Sequence, residues 1–153
     1  MDKIVPKLNV ISKESIFRKR AKVQKKISTS IFPMVFQNSL LKAKTENKLV
    51  LVDFGADWCV PCQIFEDYTI KLPNVKSYLD ENYVVQHIDI ESFDGIALKN
   101  YYKIKLLPTI LIMDGNKNIL NRFEEGLSSE KLLSVLAASQ DEASITERPN
   151  LHY

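Results

Sequence analysis

The chain has 153 residues, 45% of them hydrophobic, a net charge of +2 at neutral pH, and only two cysteines. That is enough length and apolar content for one self-supporting domain, and four glycines with six prolines exclude a collagenous or low-complexity chain. A disulfide-stapled secreted scaffold would need several cysteine pairs, and no apolar run approaches the ~18 residues that span a bilayer.

The charge is divided unevenly. Residues 1–30 hold nine Lys and Arg against Asp2 and Glu14, a local charge of +7 that leaves −5 for the rest. This predicts a basic N-terminal extension over 1–30, a folded domain over 31–140 and a polar tail over 141–153. Within the extension, Ser15 to Lys26 can form a basic helix with Ile16, Val23 and Ile27 on one side. A solvated arm is the plainer expectation, ahead of docking to a membrane surface or a partner protein; no nucleic-acid partner is expected. Met1 to Pro6 lack the basic-then-apolar pattern of a signal peptide, so the cytoplasm is the default compartment.

Asn38 or Ser39 is expected to cap a first helix through Leu40, Leu41 and Ala43, ending near Asn47. Leu49 to Phe54 is a continuous apolar run of strand length, interrupted only by Asp53 and ended by Gly55. It reads as a central strand covered on both faces. A helix should run from Cys59 towards Ile70, with a second short one from Asn74 to Leu79. The next strand is Tyr83 to Ile90, followed by a helix capped at Asp94. Pro108 opens a third strand through Met113, and Asp114-Gly115-Asn116 marks a hairpin into Ile119 to Phe123. After Gly126, Ser128 caps a last helix. The order of strand, helix, strand, helix, strand, strand, helix predicts an α/β domain, a mixed central sheet flanked by helices.

Both cysteines fall in Cys59-Val60-Pro61-Cys62. The loop is too short for a disulfide there to stabilise the fold much, so the pair is chemical rather than structural. Zinc would need about four ligands, and only His87 and His152 are available besides, so no metal is expected. A pair at the start of a helix, just after a buried strand, instead suits thiolate chemistry, because free N–H groups and the helix dipole favour negative charge. Cys59, expected to be the more exposed, is the nucleophile. Cys62, one turn on, resolves the mixed disulfide. Pro61 fits the first helical turn, where its missing N–H costs little. Trp58 shields the sulfurs and offers a flat surface to a partner protein.

The stretch from Leu51 to Cys62, with Leu107-Pro108-Thr109, Asp114-Gly115 and Gly126, resembles the thioredoxin family over about residues 35–138. Ala56 to Cys62 followed by Phe65 to Thr69 is similar to the C-terminal domain of transmembrane thiol:disulfide interchange reductases. The resemblance implies a thioredoxin fold whose N-terminal strand would come from around Ile31 to Phe36. Asp53 would be the buried acid assisting the resolving step, and a carboxyl taken out of water is suited to exchanging a proton. Pro108 would be the family's cis-proline, leaving neighbouring backbone free to pair with an extended substrate. Gly126 would be a loop glycine beside the cysteines, so that Trp58, Leu107, Pro108 and Gly126 form the docking surface.

Two positions depart from the family. Val60 stands where ordinary thioredoxins have glycine, which leaves the redox direction open between reductase and oxidase or isomerase. His87 stands where they have lysine near the buried acid; it either modulates Asp53 or is an ordinary hydrogen-bonded side chain. The expected activity is a thiol–disulfide oxidoreductase acting on protein disulfides, monomeric, needing no bound cofactor and drawing electrons from an upstream thiol protein. A redox-silent binding module on the same fold is the contrasting reading. The likeness to membrane-linked reductases sets a periplasmic or membrane-associated location against the cytoplasmic default.

Overall fold

The computed structural model describes residues 32–146, and the chain divides into two units, Met1–Phe32 and Pro33–Tyr153. The expected basic arm with its helix over Ser15 to Lys26, and the end of the tail with His152, lie outside the described residues. Helix α1 (Met34–Glu46) leads into strand β1 (Leu49–Gly55), helix α2 (Val60–Phe65) and a π-helical turn (Glu66–Ile70). Helix α3 (Pro73–Asn82), strand β2 (Tyr83–Asp89) and helix α4 (Phe93–Tyr101) follow. Strands β3 (Thr109–Met113) and β4 (Ile119–Phe123) and helix α5 (Ser129–Thr146) complete the described order.

The four strands form one sheet in the order β2-β1-β3-β4. Strand β1 runs parallel to β2 and antiparallel to β3, which is antiparallel to β4. This is the mixed sheet that the element order predicts. All seven residues of β1 and all five of β3 are buried, as expected of strands covered on both faces. Side chains alternate across the pleat. Leu49 and Leu51 of β1 join Ile110, Ile112, Phe65, Leu79, Leu132 and Leu136 in one core layer. On the opposite face Phe36, Phe54 and Tyr102 meet edge to face, with ring centroids about 6 Å apart.

Several sequence expectations are corrected. The stretch expected as an N-terminal strand contributes Met34 to Phe36 to α1, which begins after Pro33 rather than at Asn38 or Ser39. Phe36, Leu40 and Ala43 recur every three to four residues and are the buried stripe, so the helix must already be wound at Phe36. Asn47, left-handed at φ 53°, ends it. Gly55 lies inside β1 rather than beyond it. The helix after the cysteines changes to π geometry at Glu66, where the Lys71 N–H donates to the Glu66 carbonyl. Ser92, not Asp94, caps α4, its hydroxyl accepting from the Gly95 N–H at 2.9 Å. Helix α5 runs to Thr146, so residues 141–146 are helical rather than a loose tail.

Candidate active site

Strand β1 ends beside α2, and the short connection between them delivers the cysteines. Cys59 is the N-cap of α2 and Pro61 lies in its first turn, as expected of a residue lacking an N–H there. The two sulfurs are joined in a disulfide, with Cα atoms 5.3 Å apart. The Cys62 N–H points back at Cys59 Sγ, 3.2 Å away. Residue exposure does not separate the pair, contrary to the expectation that Cys59 is the more open. Cys59 is 4% exposed and Cys62 6%, because the strand end and the helix enclose both.

Their surroundings do separate them. Cys59 lines an open groove of about 480 Å³ with Trp58, Val60, Pro61, Ile90 and the Ile104 to Leu107 segment. Trp58 is 63% exposed at its edge. Cys62 faces inward, where the Cβ position of Gly55 lies 3.4 Å from its Cβ and 3.5 Å from its Sγ. The same point lies 3.2 Å from His87 Cε1. A side chain at Gly55 would thus touch Cys62 at ordinary contact distance and crowd the His87 imidazole by a few tenths of an ångström.

The sheet register explains how His87 arrives there. Asp53 and His87 are direct partners across the parallel β1–β2 pair, and Gly55 lies two residues along on the same face as Asp53. His87 Nδ1 stands 3.2 Å from Asp53 Oδ2. Asp53 is 5% exposed, and its Oδ1 is buried with no hydrogen-bond partner among the described residues. The hydrogen bond to Asp53 raises the His87 pKa above the ordinary imidazole value; burial opposes this, and the charges of Asp53, Glu66 and Asp89 assist it. The imidazole is half-exposed, so it connects the buried carboxyl with solvent.

The Leu107–Pro108 peptide is cis, as the resemblance implies, and Pro108 is buried just ahead of β3. Leu107 reaches the groove. Gly126 is exposed, and a side chain there would press on the Phe65 ring and its Cβ, 3.3 Å away. Its close neighbour is therefore the core residue that follows the cysteines in α2. Sequence reasoning missed Gly55, Ile90, Lys99, Ile104, Lys105 and Leu106 as parts of this region. Only the run of lysines without acids between Gly95 and Met113 gave a signal for any of them.

The comparisons with known proteins agree with this geometry. A family model described as thioredoxin-like matches residues 35–115. The thiol:disulfide interchange protein DsbD of Salmonella typhi is 37% identical over 73 residues, covering 47% of this chain and 13% of the relative. DsbD of Pseudoalteromonas atlantica is 40% identical over 81 residues, covering 52% and 14% respectively. The chain therefore spans only a small fraction of the length of these relatives. Among solved structures, a thioredoxin from Thermus thermophilus superposes with a TM-score of 0.66 at 18% identity, covering 80% of this chain and 95% of that one. The oxidised C-terminal domain of Neisseria meningitidis DsbD gives 0.58 at 20% identity, covering 69% and 92%. With a thioredoxin fold, a paired Cys59–Cys62 motif and a family model spanning more than half its length, the chain belongs to the thioredoxin-like family.

Proposed function

We propose that this chain is a thiol–disulfide oxidoreductase that reduces disulfides of partner proteins and is itself re-reduced by an upstream thiol protein. The observation that carries the reading is the asymmetry of the pair, with Cys59 on an open groove and Cys62 turned to Gly55, next to the His87 that is hydrogen-bonded to Asp53. In the reduced form the Cys59 thiolate attacks one sulfur of a substrate disulfide. A mixed disulfide forms and the other substrate sulfur leaves as a thiolate. Cys62 then attacks Cys59 Sγ, closing the intramolecular disulfide and expelling the second substrate thiolate. Two electrons pass from the dithiol to the substrate, and the Cys62 proton must go elsewhere.

Asp53 takes that proton on Oδ1, which has no hydrogen-bond partner among the described residues, while Oδ2 is engaged by His87. His87 positions the carboxyl and offers its other nitrogen towards water. The Cys62 N–H facing Cys59 Sγ supports negative charge on the attacking sulfur. Trp58, Leu107, Pro108 and Gly126 form the face on which an extended substrate segment lies. Val60 and Pro61 tune the pair from within the motif.

The test is the reduction potential of the pair, measured in thiol/disulfide buffers and followed by the fluorescence of Trp58, the single tryptophan. A value near the reducing end of the dithiol scale, about −270 mV, supports the reductase. A value near about −120 mV makes the protein an oxidant instead. Failure to form a reversible disulfide ends the redox reading. No helix among the described residues is long and apolar enough to cross a membrane.

A further inference from the structure

We infer that the groove beside Cys59 selects protein segments whose reactive cysteine is flanked by acidic residues. This rests on the redox reading above and names its substrate class. The groove is apolar along Trp58, Ile104, Leu106 and Leu107, which suits a hydrophobic side chain next to the substrate sulfur. Its charged lining residues have one sign, Lys99 and Lys105.

Neither of these ammonium groups has a hydrogen bond or ion pair among the described residues. Lys42, Lys48, Lys71 and Lys76 meet carboxylates, whereas Lys44, Lys103 and Lys131, away from the groove lining, lack one among the described residues as Lys99 and Lys105 do. It is their place in the groove that sets the latter two apart. The position of Lys99 in the last turn of α4 has a local explanation, since a helix C-terminus favours a cation. Lys105 lies beyond the helix, in the segment leading to Pro108, where that explanation does not reach. From Gly95 to Met113 the sequence carries Lys99, Lys103 and Lys105 and no Asp or Glu. The acids next in sequence to groove residues, Asp57, Asp89 and Glu91, do not line it. A carboxylate on the substrate would therefore supply the missing partner, while a cationic substrate would be repelled.

The test uses two peptides, identical except for Glu or Lys on either side of one cysteine, each joined by a disulfide to mercaptoethanol. Their kcat/KM values are compared on the full chain at low salt and in about 0.5 M NaCl, where exposed charges are screened. Two exposed ion pairs predict a preference of about fivefold for the acidic peptide at low salt, falling towards parity at high salt. K99Q/K105Q removes the preference. K44Q keeps it, because Lys44 lies by Gly115 at the end of β3 remote from Pro108. Equal rates for the two peptides, or a preference that survives salt or K99Q/K105Q, overturns the inference. Hydroxyethyl disulfide, small and neutral, separates the two levels. If the wild-type chain fails to reduce it, the redox reading falls and takes this inference with it. If the chain reduces it without distinguishing the peptides, only the substrate class is wrong.

Discussion

Gly55→Ala tests the arrangement around the second cysteine most directly. The added methyl would sit 3.2 Å from His87 Cε1, against 3.4 and 3.5 Å from Cys62 Cβ and Sγ. Carbon atoms prefer about 3.5–4.0 Å, so the crowding falls on the imidazole. Cys62 is fixed by α2 and by its disulfide, whereas the imidazole is half-exposed and free to swing outward by a few tenths of an ångström. Its hydrogen bond to Asp53 is already long at 3.2 Å, so this displacement breaks it. The fold itself should hardly notice. Alanine in a strand interior gains roughly 0.5–1 kcal/mol over glycine, and mild crowding costs on the order of 1 kcal/mol.

The readout is an NMR pH titration of the imidazole carbon. The chain has two histidines, and a His87→Gln spectrum assigns them. In the wild type His87 titrates above the ordinary value of about 6.5, and in Gly55→Ala it drops back towards that value with the melting temperature nearly unchanged. A Gly55→Ala protein that keeps the elevated titration would show that the methyl does not displace the ring. A wild type with ordinary titration would remove the Asp53 contact from the argument altogether.

The remaining predictions follow from the same geometry. Cys62→Ser should accumulate a mixed disulfide at Cys59, visible by mass spectrometry and reversed by added thiol, whereas Cys59→Ser should not; the opposite pattern would exchange the two roles. The His87–Asp53 pair stabilises the folded state in full below the ordinary imidazole pKa, and this is lost as pH rises through the elevated folded-state value. Urea denaturation should thus show wild type exceeding His87→Gln by up to about 1 kcal/mol near pH 6, with the gap closing by about pH 9; a gap independent of pH would contradict the linkage. Gly95→Ala would drive a methyl into the Asp89 carbonyl, so α4 must lift from the end of β2. A loss of at least about 2 kcal/mol is expected, and an unchanged denaturation midpoint would refute it. Phe65→Ala empties a fully packed core position and should cost about 3–5 kcal/mol, with a loss under about 1 kcal/mol showing that the site collapses around the gap.

Much of the fold is legible in the sequence because its inner strands are covered on both faces. A run such as Leu49 to Phe54 admits little besides a central strand, and an acid within it has to be buried. The boundaries of α1 and α5 were hidden for different reasons. For α1 the polar cap candidates Asn38 and Ser39 fall inside the helix, while the residue that opens it, Pro33, has no capping side chain. For α5 the buried stripe continues through Ser139, a polar residue that sequence patterning assigns to the surface. Its hydroxyl donates to the Val135 carbonyl and accepts from the Asn121 amide, which makes its burial affordable. The His87–Asp53 contact was approached only through the family resemblance, since two residues 34 apart become neighbours through the register of a parallel pair that local patterning does not reveal.

That register also decides which chemistry the end of β1 can support. Asp53 and Gly55 share one face of the sheet and Val52 and Phe54 the other, so a slip of one residue would present the opposite set. Phe54 would then stand where Gly55 leaves room for His87 and Cys62, and Asp53 would lose its place opposite His87. Phe54 is held in place by Tyr102, 6.1 Å away centroid to centroid, and Val50 and Val52 are fully buried beside it. The apolar residues on the far side of β1 are thus the lock that keeps an acid and a gap on the near side. Such a lock accounts for an otherwise awkward sequence feature, an aspartate within a strand that is buried along its whole length. The desolvation it imposes is tolerable because one carboxyl oxygen is tied to His87. The other is buried with no hydrogen-bond partner among the described residues, which leaves it open to take up a proton.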